Sequence, residues 1–156
     1  MIRLRGWWGH EGSTRFEMKH EFHAIPGARG FQHSNPNVLA MTCLHASLRV
    51  FHMTDIHVIR KKSRRLTCYF RALVADWAEL EIVTPPGESE SGAQLTLKLP
   101  EGVQISDFME RIKEHGLVCD ARRNRVIRVA FTGLYNTFAD VLRTVQIIRE
   151  ASRVTD

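Results

Sequence analysis

The chain has 156 residues, 44% of them apolar and 25% charged, with a mean hydropathy of −0.22; this balance excludes collagen-like, disordered and repeat-fibre proteins. No stretch offers the roughly 18 consecutive apolar residues that a membrane-crossing helix needs, so a transmembrane protein is excluded as well. The net charge of +5 rests on seventeen arginines and only five lysines, which admits anionic partners but is equally ordinary for an enzyme that touches neither nucleic acid nor a membrane.

Residues 1 to 36 show little periodicity and many turn formers, among them Gly6, Gly9, Gly12, Pro26, Gly27, Gly30 and Pro36. Loops of this kind carry binding residues when a rigid scaffold supports them, and the adjacent Trp7 and Trp8 are costly to leave without a partner. The start, Met1-Ile2-Arg3-Leu4-Arg5, has charge but no apolar run of the secretory kind. With Cys43, Cys68 and Cys119 far apart, reduced thiols and a cytoplasmic location are expected.

Beyond Asn35-Pro36, the spacing of Met41, Leu44, Leu48 and Phe51 predicts a helix over about 37–53. Asp55 offers an N-cap to a second helix, whose apolar face runs from Ile56 and Ile59 through Leu66, Phe70 and Leu73 to Trp77. Inside that helix lies Arg60-Lys61-Lys62-Ser63-Arg64-Arg65, which reads as a solvated face rather than a nucleic-acid patch. Leu80 to Thr84 reads as a short strand, Pro85 to Gly92 as an exposed loop, and Gln94 to Leu99 as a half-buried strand. Ser106 is the expected cap of a helix carrying Phe108, Met109 and Ile112, and Gly116 stops it. Strands are expected at Leu117 to Cys119 and Val126 to Ala130, on either side of a charged stretch. Thr137 with Asp140 forms a capping-box start for a last helix lined by Val141, Leu142, Val145 and Ile148. The order from residue 56 is αββαββα, an α/β layer domain with helices on one side of a small mixed sheet.

Eight histidines invite a search for metal, but there is no His-Glu-x-x-His, no Cys-x-x-Cys and no third ligand at useful spacing, so no metal site is expected. All three cysteines fall in predicted helices or strands, where an inert buried thiol is the expectation rather than a nucleophile. No glycine-rich nucleotide loop occurs either.

Three clusters remain. They are Gly6-Trp7-Trp8-Gly9-His10-Glu11 with Thr14-Arg15-Phe16; Pro26-Gly27 through Gly30-Phe31-Gln32-His33-Ser34-Asn35-Pro36; and Val118-Cys119-Asp120 through Ile127-Arg128-Val129-Ala130 to Leu134-Tyr135-Asn136. Each alone has a plainer reading: a packed Trp pair, a turn, a strand arginine reaching solvent. Together, in this order and at these separations, they resemble the C-terminal portion of kynureninase, a pyridoxal 5'-phosphate (PLP) hydrolase of the aminotransferase-like fold group. Further likeness comes from His45-Ala46-Ser47-Leu48, Leu66-Thr67, Gln94-Leu95-Thr96 and Leu134-Tyr135-Asn136-Thr137-Phe138.

The resemblance implies an α/β fold: the C-terminal small domain of a fold type I PLP enzyme (residues 55–156) plus the tail of its large domain with the connecting helix (residues 1–54). It implies that Trp7 donates its indole N–H toward the cofactor phosphate, an acceptor-only group, while its ring walls the site. Asn35 is implied beside the cofactor and the aromatic end of the substrate, and Arg128 as the clamp on the substrate α-carboxylate. His10 and Phe31 are lesser candidates for lining the pocket. The implied activity is hydrolysis of L-kynurenine or 3-hydroxykynurenine to L-alanine and anthranilate or 3-hydroxyanthranilate, within tryptophan breakdown and NAD synthesis, by a cytoplasmic homodimer.

The sequence departs from the family pattern at Asn37 and Phe131, where prolines are usual, and at Cys68, where glycine is common. None of Lys19, Lys61, Lys62, Lys98 and Lys113 matches the family's cofactor-linking lysine, whose motif precedes residue 1. No catalytic residue is therefore assigned to this chain, and the expectation is a piece of a longer or split enzyme, inactive alone. The alternative is a noncatalytic module that pairs with an intact subunit.

Overall fold

A computed structural model describes residues 3–87 and 89–153. It divides into two units, Met1–His52 and Met53–Asp156. In the first, short 3-10 turns at Trp7–Gly9, Arg15–Glu17 and Gly27–Phe31 precede a helix, α1 (Val38–Phe51). Asn37, at one of the positions where the family usually has proline, caps α1 by accepting the Ala40 N–H at 3.1 Å. No residue of α1 is buried, and Val38, Leu39, Met41, Leu44 and Leu48 are exposed.

The second unit follows the expected order: α2 (Ile56–Leu73), β1 (Glu81–Ile82), β2 (Gln94–Lys98), α3 (Ile105–Glu114), β3 (Asp120–Arg122), β4 (Val126–Ala130) and α4 (Phe138–Ala151). The strands form one sheet in the order β1-β2-β4-β3, and all three pairings are antiparallel. The sheet is therefore not mixed, as the element order had led us to expect.

Alternation along the strands sets the two faces of the sheet. Leu95 and Leu97 of β2 and Ile127 and Val129 of β4 point into a core shared with Leu66 and Phe70 of α2, Phe108 and Ile112 of α3, and Val141, Val145 and Ile148 of α4. Each fully buried side chain of this size contributes about 1.5–3 kcal/mol. Thr96 and Arg128, which pair directly, alternate with these core residues and so lie on the opposite face. On α2 the buried stripe is Ile59, Ser63, Leu66, Thr67 and Phe70, which leaves Arg60, Lys61 and Arg65 on the solvent side.

Several boundaries differ from expectation for local reasons. The second helix ends at Leu73, not Trp77, because the chain tightens there into i→i−3 bonds: Ala75 donates to the Ala72 carbonyl at 3.4 Å and Trp77 to the Val74 carbonyl at 3.0 Å. Trp77 still packs on the core, from a turn rather than a helix. Ser106 does not cap α3; it lies within the helix and bonds Asp107, while Gln104 occupies the cap position without a side-chain bond. Gly116 does close α3, with Gly116 donating to Lys113 and Leu117 to Ile112, both at 2.9 Å, the paired bonds of a Schellman ending.

The strand expected at Leu117 to Cys119 lies instead at Asp120–Arg122, within the charged stretch. Its register with β4 is imposed by a three-residue turn in which Asn124 and Arg125 take left-handed backbone angles. The capping box at Thr137 and Asp140 is present as expected. Of the cysteines, Cys43 and Cys68 are exposed and only Cys119 is partly covered, because α1 buries nothing and Cys68 falls off the buried stripe of α2. Among the described residues no helix is long and apolar enough to cross a membrane.

Candidate functional site

Four of the five candidate residues lie in the first unit. Gly6 sits so close to the next loop that a Cβ there would fall 2.1 Å from the His33 Cα, and Gly9 abuts the Gly30 carbonyl in the same way. These glycines let the segment carrying Trp7 lie against the segment that leads into Ser34-Asn35-Pro36. Backbone bonds complete the loop frame, with Ile25 donating to Gly9 at 2.9 Å and Glu11 to His23 at 2.8 Å.

Within that frame Trp7 is 43% exposed, with the edge of its ring against Phe16 at 5.5 Å between centroids. Asn35 is exposed too. Among the described residues, neither the Trp7 indole N–H nor the Asn35 amide has a hydrogen-bond partner. Phe31 is likewise 43% exposed, and the Arg3 guanidinium lies 4.2 Å from the centre of its ring.

His10 is different. Its Nδ1 accepts the His23 backbone N–H at 3.4 Å, which leaves the proton on Nε2 for donation to the Thr14 hydroxyl at 2.9 Å. Its ring lies edge-on to Phe22, and it lines a hollow of about 280 Å³ together with Trp7, Thr14 and Arg15. Both ring nitrogens thus serve the loop itself.

Arg128 lies in the second unit, on the sheet face opposite the core, half-buried between its cross-strand partners Thr96 and Asp120. Its Nε donates to Asp120 Oδ2 at 3.0 Å and its Nη2 to the same oxygen. The other carboxylate oxygen, Oδ1, accepts from Arg122 Nη1. The Arg128 hydrogen bond, aided by the charges of Arg122 and Arg128, outweighs desolvation and holds the Asp120 carboxyl below the usual range. Arg128 Nη1 has no partner among the described residues, so the end-on edge of the guanidinium stays available while the side-on edge is occupied.

Phe131, where the family usually has proline, does not disturb this placement. It donates its N–H to the Ala93 carbonyl at 2.9 Å, a bond proline cannot make, and so extends the β2–β4 ladder by one residue beyond Ala130. Its ring is buried 5.5 Å from that of Phe70. The residue that sequence reasoning missed is Asp120, met only as a letter in a motif. The signal was there: a three-residue turn across 123–125 pairs Arg122 with Val126 and therefore Asp120 with Arg128.

For a phosphate-bearing cofactor the donor set fits in kind. The first unit presents an unpaired indole N–H and an unpaired amide on one loop frame, and acceptor-only phosphate oxygens need such donors. A carboxylate-bearing ligand is matched equally well by the end-on edge of Arg128.

The fold of this chain recurs as part of larger solved structures. Over 96% of this chain and 38% of its own, a cysteine desulfurase from Escherichia coli superposes with a TM-score of 0.70 at 22% identity. A NifS-like protein does so with a TM-score of 0.54 at 16% identity, over 92% of this chain and 38% of its own. Both likenesses are of fold alone.

Sequence comparison is more specific. Residues 59–148 match the kynureninase C-terminal domain. Kynureninase 1 of Aspergillus oryzae is 44% identical over 96% of this chain and 32% of its own length, and Kynureninase 2 of Aspergillus terreus is 42% identical over 96% and 33%. Kynureninase 1 of Phaeosphaeria nodorum is 42% identical over 97% and 30%. The chain belongs to the kynureninase family, and it spans about a third of the length of these curated relatives.

Proposed function

We propose that the chain is the C-terminal part of a PLP-dependent hydrolase that cleaves L-kynurenine, or 3-hydroxykynurenine, to L-alanine and anthranilate or 3-hydroxyanthranilate. The observation that carries this reading is Arg128: an arginine on the sheet face opposite the core, fixed along one edge and, among the described residues, unpaired along the other, in a chain of this family. An α-amino acid substrate offers the carboxylate that such a free edge pairs with bidentately.

Residues 1–54 are read as the end of the large cofactor-binding domain with its connecting helix, and 55–156 as the small domain. PLP, when bound, supplies the electron sink that lets water split the Cβ–Cγ bond, the hydroxyl going to the aroyl carbon and the hydrogen to the alanine side. This chain's own residues bind and orient. Trp7 donates its indole N–H to the cofactor phosphate and walls the site with its ring. Asn35 donates or accepts beside the cofactor and the aromatic end of the substrate, where Phe31 supplies apolar surface. Arg128 fixes the α-carboxylate and with it the direction of the bond to be cut. His10 lines the same wall by holding the Trp7 loop in shape, since both of its nitrogens are engaged there.

None of the five lysines matches the motif of the cofactor-linking residue, so the lysine comes from outside this segment and no catalytic residue is assigned within it. The setting this reading implies is a cytoplasmic, homodimeric enzyme of tryptophan breakdown that feeds NAD synthesis. The uncovered apolar residues of α1 support a covering partner.

The test is a chimera in which this chain replaces the matching C-terminal third of Kynureninase 1 of Aspergillus oryzae. With PLP and L-kynurenine it is expected to release fluorescent anthranilate; a folded chimera that binds PLP yet releases none contradicts the reading.

A further inference from the structure

The Arg128 guanidinium does not stand alone on its sheet face. Asp120, directly opposite on the edge strand β3, takes both side-on N–H groups of Arg128 on one oxygen and an N–H of Arg122 on the other. A carboxylate held from both sides cannot rotate freely, and an arginine gripped through Nε and Nη2 cannot swing about its last torsions. What it still presents is the pair of end-on N–H groups, directed away from Asp120.

We propose that Asp120, steadied by Arg122, is the positioning residue for substrate: it turns the end-on edge of Arg128 toward the α-carboxylate and so fixes which bond of the amino acid is presented for cleavage. The proposal rests on the reading of Arg128 as the carboxylate clamp. Positioning and simple charge make opposite predictions. Asp120 is an anion beside the clamp, so if it acted only through its charge, its removal would raise the local positive potential and strengthen carboxylate binding. If it acts by orientation, removal weakens binding even though repulsion is relieved.

Two sets of measurements decide, one on the chain alone and one on the chimera. In the chain alone, the Arg128 Nε–H signal in a nitrogen-15 correlation spectrum is expected to be shifted and slow to exchange with water, to lose both properties in Asp120→Ala and to keep part of them in Asp120→Asn, which retains one acceptor oxygen. In the chimera described above, Asp120→Ala is expected to lower kcat/KM for L-kynurenine about tenfold, the scale of a modest misplacement of substrate, and Asp120→Asn to lower it less. Neither should change the inhibition constant of a kynurenine analogue lacking the α-carboxylate. Adding either substitution to Arg128→Lys should cost much less than it does in the unsubstituted protein.

An unchanged or tighter interaction with L-kynurenine in Asp120→Ala, or an Arg128 signal indifferent to Asp120, overturns the proposal. If Arg128→Lys shows a carboxylate-selective loss and Asp120→Ala does not, positioning by Asp120 fails while the clamp stands. If Arg128→Lys shows none, both fall. Should Asp120→Ala not fold in the chimera, the same comparison is made with Asp120→Asn.

Discussion

The Ser63 hydroxyl accepts the backbone N–H of Gly133 at 2.6 Å, tying the middle of α2 to the loop that follows β4. At that point the two segments approach so closely that a Cβ on Gly133 would lie 2.2 Å from the Ile59 carbonyl oxygen. Ser63→Ala leaves a buried N–H without a partner and is expected to cost about 1–3 kcal/mol. Gly133→Ala must push α2 aside and is expected to cost at least as much, about 1–3 kcal/mol by overpacking. Urea unfolding of the chain measures both; a loss below about 0.5 kcal/mol in each, the range of ordinary surface changes, contradicts the packing described.

Acid should weaken the second unit through α4. The Asp140 carboxylate accepts the Thr137 N–H at 2.7 Å, the bond that chiefly holds the carboxyl below its usual range, while the Asp140 backbone N–H goes to the Thr137 hydroxyl to complete the box. A carboxylate whose pKa is lower in the folded than in the unfolded state stabilises the fold above the unfolded value of about 3.9 and stops doing so as pH falls through the folded value. Asp120 acts with the same sign. Asp140→Asn should therefore be less stable than the unsubstituted chain at pH 7 and should lose less of its stability on going to pH 3. Parallel stability curves for the two proteins across that range would show that the capping carboxylate plays no such part.

The three thiols should separate by reactivity. Burial, with a smaller contribution from the neighbouring Asp120 charge, pushes the Cys119 thiol up to about 11, whereas Cys43 and Cys68 are exposed. Thiolate is the reacting form, so at pH 8 iodoacetamide should label Cys43 and Cys68 well before Cys119. Peptide mass spectrometry over a time course reads the order, and equal rates at all three sites contradict the environment assigned to Cys119.

The helices should also differ in protection when the chain is studied alone. α4 buries Val141, Val145 and Ile148, whereas α1 buries no residue and keeps its apolar side chains exposed. Most of a helix's stability comes from packing, and one of 14 residues is marginal without it. Hydrogen exchange in α1 is expected to be much faster than in α4 in the chain alone; comparable protection would contradict the exposure of α1.

How far the sequence could be read depended on where the signal was local. The Ile59, Leu66 and Phe70 part of the α2 stripe, the Thr137–Asp140 box and the Gly116 stop involve residues within a turn or two of each other and appear at the expected places, whereas Ile56 at the head of the stripe is exposed. β3 was missed because Asp120-Ala121-Arg122 has no apolar alternation, and its pairing is supplied by the partner strand and the turn between them. Trp77 keeps the helical spacing of the stripe but packs from a turn, since burial of its ring does not require the helix to continue. At the candidate site the residues themselves were legible as motif letters, whereas the arrangement was not. That Asp120 grips Arg128 follows from strand register, and that the Trp7 and Asn35 segments lie together follows from backbone contacts at Gly6 and Gly9.

The most direct test of the central claim is the response of the chimera to Arg128→Lys, measured as kcat/KM for L-kynurenine and as the inhibition constant of the analogue lacking the α-carboxylate. Lysine keeps the charge but cannot offer two parallel N–H groups, so the loss on L-kynurenine should be about 1.5–3 kcal/mol, or about ten- to hundredfold. The analogue should bind both proteins alike. Equal losses on the two compounds, or a change on L-kynurenine within about 0.5 kcal/mol, would show that Arg128 is an ordinary strand residue and not the carboxylate clamp.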